Sequence, residues 1–167
     1  LEYLQTKGCL QLRYTAGPFP LQVSGMAAFV PIMLEKYGTS LEKELYVRLR
    51  REDQTFEDVQ TNFEYSYGAD TRNELDVVLT CRDRPVVVSC KACRELAMSF
   101  VDEILARARL LNCGALPVLV CSELMPGQNP VFRARCESAG VLLIDGVSLA
   151  SAADLISREV EMQEGAF

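Results

Sequence analysis

The chain has 167 residues, nearly half apolar and about a quarter charged, which supports one ordinary globular domain and excludes a wholly disordered chain. No stretch reaches the roughly 18 uninterrupted apolar residues of a membrane span, so no membrane partner is expected; the run Gly25–Leu34 is too short, contains Pro31 and lacks the basic flank of a signal peptide. The net charge of −6 makes a poor generic nucleic-acid binder, and the absence of histidine removes Ser-His-Asp, Cys-His and HExxH chemistry, leaving carboxylates, lysine and bound metal.

The first residue is Leu1, so the chain reads as a fragment or a processed product. Residues 1–35 read as a connector or N-terminal remnant. Within them Leu10–Tyr14 alternates like a strand, Gly17-Pro18-Phe19-Pro20 is a turn, and Gly25–Lys36 is a short helix interrupted by Pro31. Residues 36–167 form the main domain. It opens with a helix over Ser40–Arg51, capped by Ser40, whose Leu41, Leu45 and Leu49 recur at spacing four as an inward stripe. Glu42 stands at the edge of that stripe, near the core.

Three strands follow. Phe56–Tyr65 alternates through Val59, Thr61, Phe63 and Tyr65, and Gly68-Ala69-Asp70 turns the chain into Glu74–Cys81. The polar turn Arg82-Asp83-Arg84 joins this strand to Pro85–Cys90 as a hairpin. Arg94–Asn112 is a long amphipathic helix with Leu96, Phe100, Ile104, Ala108 and Leu111 inward, closed by Cys113-Gly114. Leu116–Cys121 is continuously apolar, as in a sheet covered on both faces. A helix over Pro130–Ala139, a strand over Val141–Asp145 and a helix over Val147–Glu161 complete the order, with Met162–Phe167 as a frayed tail. A hairpin followed by strand–helix alternation predicts an α/β fold, a mixed central sheet flanked by helices.

Seven cysteines occur, Cys9, Cys81, Cys90, Cys93, Cys113, Cys121 and Cys136. Their odd number and apolar settings point to buried free thiols in a reducing compartment, hence a cytoplasmic protein. Cys90-Lys91-Ala92-Cys93 is a lone CxxC without the second pair or the histidines that zinc would want, and packing is the favoured reading.

Side chains alternate across a strand. Glu74 and Asp76 then share one face of the second strand, opposite Leu75 and Val77, and Ser89 and Lys91 share one face of the third, opposite Val88 and Cys90. Pairing the polar faces brings Asp76 to Ser89 and Lys91, and Glu42 can complete the cluster from its helix. Carboxylates with one lysine suit phosphodiester hydrolysis. The acids hold Mg²⁺ or Mn²⁺, and the lysine orients or deprotonates the attacking water and balances developing charge. The competing reading is a structural ion pair between Asp76 and Lys91 at strand ends, and periodicity alone leaves both open.

The run Asn73-Glu74-Leu75-Asp76-Val77-Val78-Leu79-Thr80, a short turn, then Val86-Val87-Val88-Ser89-Cys90-Lys91 resembles the PD-(D/E)xK nuclease motif. More narrowly, it is similar to the nuclease domains attached to CARF sensor domains in CRISPR ancillary nucleases. Those domains carry a Gly-x-Trp-Leu-Glu helix start, which Gly38-Thr39-Ser40-Leu41-Glu42 resembles with Ser40 where Trp is usual. The likeness covers about Gly38–Asp145. It implies a restriction-endonuclease-like core (α-β-β-β-α-β) and a metal-dependent endonuclease cutting DNA or RNA in antiviral defence. Asp76 would be the central metal ligand, Lys91 the motif lysine and Glu42 the helix carboxylate. The resemblance also implies a homodimer and a fused or associated nucleotide-sensing domain.

Ser89 departs from the pattern, standing where (D/E)xK has its second acid. The site loses one negative charge unless Glu74 or Glu42 compensates. The outcome is either an active variant with shifted ligands or a catalytically weakened or inactive domain serving nucleic-acid binding or dimerisation. Candidate phosphate contacts are Arg72, Arg82 and Arg84 near the hairpin and Lys36 and Lys43 near the first helix, with ordinary solvated charge the preferred reading for each.

Overall fold

The computed structural model describes residues 10–14, 21–25, 37–51, 56–67, 71–93, 95–111 and 114–165. The chain divides into two compact units, Leu1–Ser40 and Leu41–Phe167. In the first, strand β1 (Leu10–Tyr14) pairs antiparallel with β2 (Leu21–Gly25), Leu10 lying opposite Gly25 and Tyr14 opposite Leu21. β1 is the strand its alternation predicts; β2 is an addition, its apolar alternation limited to Leu21 and Val23. The expected turn at Gly17–Pro20 and the helix interrupted by Pro31 lie outside the described residues.

Helix α1 (Tyr37–Arg51) begins three residues earlier than expected, so Ser40 lies inside its first turn and is not its cap. Leu41, Leu45 and Leu49 are buried at the predicted spacing of four. Then come β3 (Asp58–Tyr67), β4 (Thr71–Cys81) and β5 (Arg84–Lys91). The turn between β4 and β5 is two residues long, Arg82 and Asp83, with φ of +51° and +61°. Two successive left-handed residues match the right-handed twist of the flanking strands, and Arg84 is thereby drawn into β5 opposite Cys81.

Helix α2 (Ser99–Leu110) is shorter than the predicted Arg94–Asn112. The apolar spacing does run back to Leu96, but the chain needs the stretch after Lys91 to climb from the sheet to the helical layer. The chain continues through β6 (Leu116–Cys121), α3 (Pro130–Ser138), β7 (Leu142–Asp145), a short 3₁₀ turn at Ser148–Ser151 and α4 (Ala152–Glu164). α3 starts at its proline as predicted, with Asn129 accepting from the Phe132 amide at 3.3 Å.

The sheet order is β3-β4-β5-β6-β7; β4 runs antiparallel to both of its neighbours, β3 and β5, and β5, β6 and β7 run parallel. One face carries α1 and α4, whose Leu45, Leu49, Ile156 and Val160 meet Val77, Val86 and Val88. The other carries α2 and α3, whose Val101, Ile104 and Phe132 meet Leu75, Val87 and Leu119. Covered on both faces, β6 is buried at every residue, as its continuous apolar sequence predicts. The mixed, helix-flanked α/β sheet is the expected fold class.

Candidate active site

The site lies where β5 ends, at the carboxyl edge of the three parallel strands, the usual place for ligands in open α/β sheets. The β4–β5 ladder runs from Cys81 opposite Arg84 to Val77 opposite Val88, and one step further the same register sets Ser89 opposite Asp76. There the ladder gives way to a side chain. Asp76 Oδ2 accepts from Ser89 Oγ at 3.1 Å and from the Cys90 backbone amide at 2.7 Å. The short amide bond to a carboxylate is of the charge-assisted kind and anchors Asp76 in the gap between the strands.

On the neighbouring strand Asn62 adopts a φ of +54°, and the pairing skips from Thr61 opposite Val77 to Phe63 opposite Leu75. The alternation of β4 breaks at this point. Val77 joins the core beneath α1, whereas Leu75, expected on the same face, joins the core beneath α2. The sequence-based pairing of Glu74 with Asp76 on one face is corrected accordingly: a regular pleat does not pass through Asp76.

Lys91 lies on the α2 side, two residues beyond Ser89. Its ammonium sits 4.6 Å from the Phe100 ring centroid and 3.5 Å from Glu103 Oε2. Arg107 Nη1 stands 3.9 Å from Asp76 Oδ1. Phe100, Glu103 and Arg107 follow at i, i+3 and i+7, one stripe of α2 that reaches both motif residues. Glu42 approaches from α1 and is half-buried. Burial, then the charges of Asp76 and Glu74, raise its pKa above the ordinary value of 4.5, with Lys43 and Lys91 pulling the other way. The thiol of Cys90 is also pushed up, first by burial and then by Asp76 and Glu42, so the Cys90/Cys93 pair offers no ready thiolate at Cys90. Cys81, Cys90, Cys121 and Cys136 are buried free thiols, as their apolar settings predict.

The structure therefore joins Asp76 to Ser89, places Lys91 and Asp76 against the same stripe of α2 through Glu103 and Arg107, and sets Glu42 within electrostatic reach. Among the described residues no three acids or cysteines are grouped to hold a metal ion, so Asp76, Glu42 and Glu74 do not form a ready-made cage. The cause is local: Asp76 is turned into the β4–β5 gap with Oδ2 occupied, and Glu74 is exposed beyond the break. Mg²⁺ is commonly held by one or two carboxylates with retained waters and substrate oxygens. Asp76 Oδ1 with Glu42 fits that habit, and beyond the effect of burial on Glu42, its repulsion from Asp76 and Glu74 is what a cation would relieve.

Arg82 and Arg84 are displaced from the candidate interface. They sit at the turn, roughly 20 Å from Lys91 at about 3.3 Å per strand residue. Arg82 pairs with Glu161 at 2.5 Å, and Arg84 Nε donates to the Gly114 carbonyl at 2.8 Å. Lys43 is exposed on α1, the Arg72 side chain and Lys36 lie outside the description, and Arg107 takes the arginine position beside Asp76. Glu103 and Arg107 were missing from the sequence reading. Their signal was available in the i, i+3, i+7 spacing from Phe100, but only the path of the chain after Lys91 reveals which face of α2 meets the strand end.

No protein-family model and no curated protein sequence matches the chain. Among solved structures it is similar to protein VC1899 from Vibrio cholerae, with a TM-score of 0.67 and 19% identity over 95% of this chain and 41% of that one. It is likewise similar to Can2 from Sulfobacillus thermosulfidooxidans, solved in complex with cyclic tetra-adenylate, with a TM-score of 0.65 and 16% identity over 95% of this chain and 44% of that one. The chain shares the Can2 fold. At these identities the likeness is one of architecture, and the chain spans less than half the length of either neighbour.

Proposed function

We propose that this chain is the nuclease part of a larger nucleotide-regulated protein, hydrolysing phosphodiester bonds of DNA or RNA with Mg²⁺ or Mn²⁺ as cofactor. The observation that carries the reading is Asp76, anchored by Ser89 Oγ and the Cys90 amide, with Lys91 and Asp76 both met by one stripe of α2. A bound divalent cation would polarise the phosphoryl group and acidify a water. Asp76 Oδ1 and Glu42 are the residues to hold it. Lys91, steadied by Phe100 and Glu103, orients the attacking water and balances charge on the phosphoryl oxygens, a role for which a positioned cation is well suited.

The PD-(D/E)xK-like pattern and the Can2 fold support the reading from independent directions, one from residues and one from architecture. Can2 is solved with cyclic tetra-adenylate, which favours regulation of this chain by a nucleotide sensor outside it; a homodimer as the working form and the cytoplasm as its compartment belong to the same proposal and rest on the motif resemblance and the free thiols. A second reading rests on Ser89, whose neutral hydroxyl replaces an acid: a weakened or inactive domain that binds nucleic acid or dimerises.

Plasmid and single-stranded DNA and RNA incubated with Mn²⁺ or Mg²⁺ separate the two. Wild-type cleavage is expected, with Lys91→Ala and Asp76→Ala each lower by about 100-fold or more. Cleavage that survives both substitutions rejects this site. No cleavage of any substrate by the full-length protein with its nucleotide activator favours the binding role.

A further inference from the structure

Asp76 has two carboxylate oxygens, and they are treated differently. Oδ2 is fastened by Ser89 and Cys90, whereas among the described residues Oδ1 has as its ionic partner the Arg107 guanidinium at 3.9 Å, beyond hydrogen-bond range. Arg107 thus neutralises Asp76 through space without being fixed to it. Its side chain is 26% exposed and makes no hydrogen bond to another described residue. The other cation at this strand end, Lys91, is already engaged by Glu103 and Phe100.

Resting on the nuclease reading above, we propose that Arg107 is a phosphate-binding residue of this site. It balances Asp76 Oδ1 in the free protein and turns to the nucleic-acid backbone when a divalent cation takes that oxygen. A cation at Oδ1 repels a guanidinium that stands beside it, and a phosphodiester supplies the anion to which the displaced charge can go. The planar fork of arginine matches two phosphate oxygens at once, and Arg107 has no competing hydrogen bond to a described residue to break. The exchange also answers the chain's net charge of −6. An acidic protein becomes receptive to a polyanion only once metal has bound, because the metal both neutralises the acids and frees an arginine. Cation and nucleic acid then bind with positive coupling through one side chain.

The test uses the full chain as wild type, Arg107→Ala and Arg107→Lys, each confirmed folded by circular dichroism. Ca²⁺ binding is measured by calorimetry. Affinity for a labelled single-stranded DNA oligonucleotide and for the same sequence as RNA is measured with and without Ca²⁺ across a salt series. Arg107→Ala is expected to bind Ca²⁺ several-fold more tightly. It should bind the oligonucleotide about ten-fold more weakly with Ca²⁺ present, be little changed without it, and show a salt slope lower by about one. Arg107→Lys should recover part of the loss, and the DNA and RNA arms show which backbone is preferred. Unchanged nucleic-acid affinity in both variants, while the wild type binds Ca²⁺ and cleaves in Mn²⁺, overturns the assignment and leaves the nuclease reading standing. A wild type that binds neither Ca²⁺ nor either oligonucleotide overturns both. Where Arg107→Ala does not fold, Arg107→Lys decides, since an intact charge with a lost fork should still weaken binding a few-fold.

Discussion

Ser89 is 2% exposed and donates to Asp76, so the motif's missing acid has become a buried hydrogen-bond donor. Replacing it by glutamate exchanges an attraction for a repulsion at a site with no room for solvent. Ser89→Glu is expected to lose about 2–3 kcal/mol of stability in chelator, the scale for an uncompensated buried group, and to regain much of it on adding Mn²⁺. Thermal melts with and without Mn²⁺ check this, and a variant that Mn²⁺ does not rescue places position 89 away from the cation. Glu42 makes the complementary case. Its folded-state pKa is raised by burial and by Asp76 and Glu74. For a carboxyl so raised, the contribution favouring the folded state is fully present below the unfolded value and is lost as pH rises through the folded one. Without metal, Glu42→Gln should therefore melt higher than wild type at neutral pH, and the two should converge in acid. A Glu42→Gln melting temperature below wild type at pH 7 would contradict the repulsive cluster.

At the scale of elements, the β4–β5 hairpin sets the register on which the site depends. A slip of one residue would send Ser89 and Lys91 to the opposite face. The turn holds that register with two non-glycine residues at positive φ, Arg82 and Asp83. Asp83→Gly is expected to raise stability by about 0.5 kcal/mol, read as a higher denaturation midpoint with an unchanged slope, because glycine removes the left-handed strain at a small entropic cost. Most elements are legible in the sequence for local reasons. Leu41, Leu45 and Leu49 mark α1, continuous apolar residues mark β6, and Pro130 and Gly140 bracket α3. The errors fall where local pattern and chain path disagree, as at Leu96, whose helical spacing is overridden by the climb from β5 to α2, and at Ser40, a good cap residue that the helix start bypasses.

Across the whole molecule, the ends of β5, β6 and β7 are tied together by contacts between distant parts of the chain. The Ser122 amide donates to the Lys91 carbonyl at 3.2 Å, and the Gly146 amide to the Leu124 carbonyl at 3.1 Å. Asp145, 6% exposed, accepts from Arg133 at 2.9 Å and from the Ser148 amide at 3.0 Å. Burial alone would raise its pKa, but the bonds from Ser148 and Arg133 outweigh that and leave it lowered. Gly146 is required here by space: a Cβ would lie 2.1 Å from the Ser122 carbonyl oxygen. Gly146→Ala should cost about 2 kcal/mol, and the displaced Ser122 should carry the strain to Lys91. Denaturant unfolding reads the first effect. Wild-type stability in this variant would show that the strand ends yield easily.

Periodicity by itself determined the fold class, the hairpin, and the register that sets Asp76 opposite Ser89, because alternation and a short turn are encoded by neighbours in the chain. Tertiary structure decided the rest. The break at Asn62 and Asp76 separates Glu74 from Asp76, and α2 delivers Phe100, Glu103 and Arg107 to the motif. Those outcomes depend on how a helix lies across a strand end, a through-space relation between residues that no spacing along the chain contains.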